Sequence, residues 1–60
     1  MNNDAFERAY KTAIDLHVRG QTNEALAAIG RLLAVVGSEG QREMCLNEAT
    51  NLRMRLDQKS

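Results

Sequence analysis

The sequence predicts an all-α fold, a single domain over residues 1–60 built from an antiparallel helical hairpin and a C-terminal helix. Three observations carry this. The chain has no proline, and few of its residues favour strands. Its apolar residues recur at spacings of three and four, the period of one helix face. Glycines and capping residues divide the chain near Gly20 and Gly37 into three such runs.

The first helix is expected over residues 5–19. Asp4 stands at a capping position, and Glu7 three residues on completes a capping-box-like pair. At ~100° per residue, Phe6, Ala9, Tyr10, Ala13, Ile14, Leu16, His17 and Val18 form one broad stripe. Arg8, Lys11, Asp15 and Arg19 occupy the other side. Gly20 follows as a natural left-handed terminator.

The second helix is expected over residues 23–36, capped by Thr22 or Asn23 and helped by the negative charge of Glu24 near its start. It carries the stretch ALAAIGRLLAVVG, Ala25 to Gly37, in which Arg31 is the only charge. One flank presents Ala25, Leu26, Ile29, Leu32, Leu33 and Val36. Another presents Ala27, Gly30 and Ala34, small residues that let a further helix come close. A glycine inside a helix costs ~1 kcal/mol relative to alanine, so Gly30 suggests a tight crossing. This helix alone is apolar enough to be covered from two sides.

The third helix is expected over residues 39–57. Ser38 and Gln41 form an S-x-x-Q capping box. Cys45, Ala49, Leu52 and Leu56 then make a seam at spacings of four, three and four, flanked by Leu46. Arg42, Glu43, Glu48, Arg53 and Arg55 are expected on a solvated face.

Composition limits the rest. A sixty-residue domain buries only ~60% of its unfolded surface, so it is marginal alone. Cys45 is the only cysteine, which rules out an internal disulfide, and the aromatics are Phe6 and Tyr10 alone. Association into a homodimer is therefore expected. Eight basic and eight acidic residues balance to zero formal charge, and no basic run predicts strong phosphate binding. The start, MNNDAFER, does not read as a signal peptide. The apolar stretch is well short of the ~20 residues that span a bilayer. One unpaired thiol fits a reducing cytoplasm.

No catalytic constellation is evident, so neither an enzyme nor a cofactor or metal site is expected. His17 lies in an apolar stripe, and a catalytic base there would need an orienting carboxylate and a nucleophile. Asp15 is on the opposite face. The string GQTNEALAAIGRL evokes a helix-turn-helix, but its recognition helix would be RLLAVV, which lacks the polar side chains that read base edges. A turn at Gly30 would also break a good apolar period.

Helices 1 and 2 resemble a single tetratricopeptide-type hairpin through Ala9, Ala13, Gly20, Glu24, Ala25, Leu26, Ile29, Leu32 and Leu33. That resemblance implies close antiparallel packing, with Ala13 and Ala25 facing across the hairpin. From Phe6 to about Leu56 the layout is also similar to the ANR proteins, small negative regulators of AraC-type transcription activators. Phe6, Ala9, Ala13, Leu16, Gly20, Glu24, Ala25 and Ala27 match its first part. Gln41, Met44 and Leu52 fall near positions where that family has Asn, Trp and an aromatic, while Ile29 stands near an expected Trp.

The function these features imply is a non-enzymatic interaction protein, dimeric and cytoplasmic, that binds a transcription regulator and inhibits it. Ala27, Gly30, Leu33, Ala34, Met44, Leu52 and Leu56 are the expected interface residues. One alternative is a small chaperone-like partner of a secretion client. Another is a dimeric DNA-binding regulator using Arg42, Arg53, Arg55 and Lys59, with Glu43, Glu48 and Asp57 diluting that basic edge.

Overall fold

The computed structural model describes residues 2–59, with side chains through Gln58. The Lys59 side chain, part of the expected basic edge, lies outside the described ones. The chain forms three helices, α1 (Asn3–Val18), α2 (Thr22–Leu33) and α3 (Glu39–Lys59), with no strand among the described residues. No helix is long and apolar enough to cross a membrane among those residues. The all-α fold and the order of its elements follow the expectation; several ends do not.

α1 starts two residues early because Asn2, rather than Asp4, is the cap. The Asn2 Oδ1 accepts from the Ala5 N–H at 2.8 Å. Asp4 sits in the first turn, where its charge suits the helix N-terminus. At the other end the Gly20 N–H donates to the His17 carbonyl and the Gln21 N–H to that of Leu16, at 3.0 and 2.9 Å. This pair of bonds is a Schellman motif, and it turns on Gly20, which adopts φ +84°. L-residues rarely hold that angle, so the glycine there has a steric reason.

α2 is shorter than expected at its C-terminus. Neither Thr22 nor Asn23 caps it: Gln21 is the N-cap and makes no side-chain bond to the helix. Thr22 is instead buried inside the first turn, with no hydrogen-bond partner for its hydroxyl among the described residues. The helix stops at Leu33 rather than at residue 36. Ala34 and Val35 donate to the carbonyls of Arg31 and Leu32, three residues back, at 3.2 and 3.1 Å. The last turn therefore tightens and closes. Two β-branched valines followed by glycine do little to carry a helix onward.

α3 begins as the capping box requires. The Ser38 Oγ accepts from the Gln41 N–H at 3.2 Å. Gln41 Oε1 accepts in turn from the Gly37 N–H at 3.3 Å, one residue before the usual return position. The helix extends two residues beyond 57, to Lys59.

α2 packs extensively against both other helices, whereas α1 and α3 touch only sparsely. One core joins Phe6 and Ala13 of α1, Ala25, Ile29 and Leu32 of α2, and Cys45, Ala49 and Leu52 of α3. Leu26, Leu33 and Val36 pack half-buried at its edge. Of the apolar residues expected on the inward stripes, Ile14 and Leu56 are half-buried but outside this core, and two others are exposed. Val18, at the end of α1, is 77% exposed, and Leu46 lies on the open side of α3.

Two substitutions test this packing. Leu52, fully buried, should lose ~2–5 kcal/mol on Leu52→Ala in urea denaturation, through lost contacts and a residual cavity. In the dilute, unassociated chain, Gly30→Ala should raise stability by ~1 kcal/mol, because among the described residues no atom from outside its own helix turn lies within 4 Å of where the added Cβ would sit.

Candidate functional site

Two places stand apart from the core. The first is the outward side of α2. Asn23, Glu24, Ala27, Gly30 and Arg31 are all exposed there, and Ala34 continues the line just past the helix end. The helix periodicity that turns Ala25, Ile29 and Leu32 inward places this set on the opposite side. α2 runs unbroken through Gly30, so the turn that a helix-turn-helix would need at that residue is not formed.

The second place is the seam between α1 and α3, where polar groups are brought together. His17 Nδ1 and Glu48 Oε1 are 2.6 Å apart, with side chains only 21% and 10% exposed. The two share a hydrogen bond, in which Nδ1 is the donor when the Glu48 carboxylate is ionised, since that group can then only accept. Glu48 is therefore not on a solvated face; it is buried and paired. Further along the seam, Gln41 Nε2 donates to Asn3 Oδ1 at 3.1 Å and ties the starts of α1 and α3 together. The Phe6 and Tyr10 rings stack at a centroid distance of 5.6 Å.

Two neighbours of this pair are held in their neutral forms. Burial, then the nearby Glu48 carboxylate and Cys45, push the Tyr10 hydroxyl above its ordinary 10.0. Burial alone pushes the Cys45 thiol above 9.0. Such a thiol packs as a small apolar group and is a poor nucleophile. No three His, Cys, Asp or Glu residues converge closely enough to hold a metal ion among the described residues.

The residues expected at an interface divide. Ala27, Gly30, Ala34 and Met44 are exposed, Leu33 and Leu56 are half-buried, and Leu52 is enclosed in the chain's own core. Val18, Val35, Leu46 and Met54 are exposed large apolar side chains that were not among them. Beside the α2 face, Ala9, Thr12, Ala28, Arg31, Leu32 and Val35 line an open, mostly apolar groove of about 280 Å³ between α1 and α2. Arg42, Arg53 and Arg55 are exposed on α3. Compared with known proteins, the chain matches no family model, no curated protein and no solved structure.

The seam yields two predictions. Glu48→Ala should cost ~1–3 kcal/mol by leaving the His17 Nδ1–H without its acceptor. Glu48→Gln, which keeps an acceptor oxygen, should cost less; urea denaturation at neutral pH compares the two. Tyr10 is protonated in the folded chain at pH values where the unfolded chain ionises it. Its contribution is thus complete below pH 10 and is lost as pH rises through the folded value. Tyr10→Phe should make the fall in melting temperature above pH 10 shallower.

Proposed function

We propose that the protein is a non-enzymatic interaction module that acts as a cytoplasmic homodimer and binds and restrains another protein, a bacterial transcription regulator. The outward face of α2 carries this reading. Ala27, Gly30 and Ala34 lie exposed along it, and the space beside Gly30 is open. A glycine within an exposed helix weakens it by ~1 kcal/mol relative to alanine, and nothing in the chain's own packing requires the missing side chain. A neighbour packed at close range would require it.

Other features agree. Val35 and the apolar groove between α1 and α2 extend the same side of the molecule. Exposed apolar surface grouped in this way marks interaction sites more often than scattered single residues do. The choice of client rests on the likeness of Phe6, Ala9, Ala13, Leu16, Gly20, Glu24, Ala25 and Ala27 to the ANR proteins.

Size-exclusion chromatography with light scattering tests the dimer, and affinity capture from the native host tests the client. The expected results are twice the chain mass and recovery of a transcription regulator. A secretion subunit in its place would make the protein a chaperone of that client. Gly30→Leu should remain folded yet weaken self-association roughly tenfold or more, since bulk in a tight crossing costs ~1–3 kcal/mol. A Gly30→Leu dimer as tight as wild type would remove the α2 face from the interface.

A further inference from the structure

The outward face of α2 carries charge as well as small residues, and the order of its charges selects a partner. Glu24, Ala27, Arg31 and Ala34 recur at spacings of three, four and three. At 3.6 residues per turn they fall within about 80° of arc centred opposite the buried Ile29. Glu24 lies in the first turn of α2 and Arg31 in the last. Both are exposed, and neither makes an ion pair or a side-chain hydrogen bond among the described residues.

We infer that a second copy of this chain docks antiparallel along α2, with Glu24 of each protomer against Arg31 of the partner subunit. A two-fold axis between Ala27 and Ala28 brings these pairs together twice, because residue 24 of one chain then lies opposite residue 31 of the other. The contact is the same patch on both sides and closes at two copies. Parallel docking would instead set Glu24 against Glu24 and Arg31 against Arg31, which repel. The opposed helix directions also place each helix N-terminus near its partner's C-terminus. Ala27, beside the axis, lets the helices approach toward the ~8 Å end of the range for packed helices. This deepens the homodimer reading above and rests on it.

Charge reversal tests it. Glu24→Arg and Arg31→Glu would each put like charges in both pairs and should weaken self-association about tenfold at low salt. Mixed in equal amounts, these two variants should associate with each other, because every pair is then opposite in sign. The doubly reversed chain, E24R/R31E, should dimerise as wild type does. Sedimentation equilibrium reads all four, and circular dichroism of dilute samples reports folding. Should a reversed chain fail to fold, the neutral variant E24Q/R31Q serves, and its dimer should lose the salt dependence of wild type.

Several results would overturn the inference. Single reversals that associate like wild type would place the dimer contact elsewhere and leave the homodimer standing. A folded double reversal that stays monomeric, a mixture that fails to associate, or a neutral variant with undiminished salt dependence would show that Glu24 and Arg31 do not face each other across the dimer. A wild-type chain that is monomeric at every concentration would remove the homodimer itself, and this inference with it.

Discussion

The fold depends on enclosing one side of α2 between two helices that hardly meet each other. Ala25 and Ile29 have no exposed surface, and Leu32 very little. The residues that cover them come from both ends of the chain, Phe6 and Ala13 on one side and Cys45, Ala49 and Leu52 on the other. A chain this short has material for only one such core. α1 and α3 each gain most of their tertiary support by lying on α2, so neither has an independent reason to stay in place. The same arrangement leaves the far side of α2 open, since two flanking helices cannot wrap a third.

Where α1 and α3 approach, the contacts are polar and directional. Gln41 takes part in three hydrogen bonds at this point: its backbone N–H donates to Ser38 Oγ, its side-chain Oε1 accepts from the Gly37 N–H, and its Nε2 donates to Asn3 Oδ1. The cap of α3 is thereby built into the contact between helices, and the start of α1 is held by the same residue. His17 and Glu48 supply a second fastening on the seam. Apolar contacts tolerate sliding, whereas hydrogen bonds of this kind fix position. The sparse seam thus sets the placement of α3 more than its bulk would suggest.

Much of this was legible in the sequence, for reasons that can be stated. The stop at Gly20, the box formed by Ser38 and Gln41, and the inward residues of α2 are local or periodic signals. Those survive folding because they do not depend on distant groups. Asn2 does not stand out in the sequence because Asp4 satisfies the same rule two residues later, and only geometry decides between adjacent caps. Glu48 lies just off the Cys45–Leu52 seam, so spacing alone assigned it to water. The signal that could have found it was His17, a polar ring in an apolar stripe that needed an acceptor on another helix. Leu52 and Gly30 show the remaining limit. Periodicity separates two sides of a helix, but tertiary packing determines which side the rest of the chain covers.

Thr22 leaves a consequence at the corner between α1 and α2. Its hydroxyl is out of water and finds no partner among the described residues, a condition that costs a protein ~1–3 kcal/mol. The start of α2 also lacks a side-chain cap. Two local shortfalls therefore meet at the bend on which the hairpin closes, directly after the well-formed Gly20 turn. Sequence change has room there to make the chain sturdier without disturbing the side that faces outward.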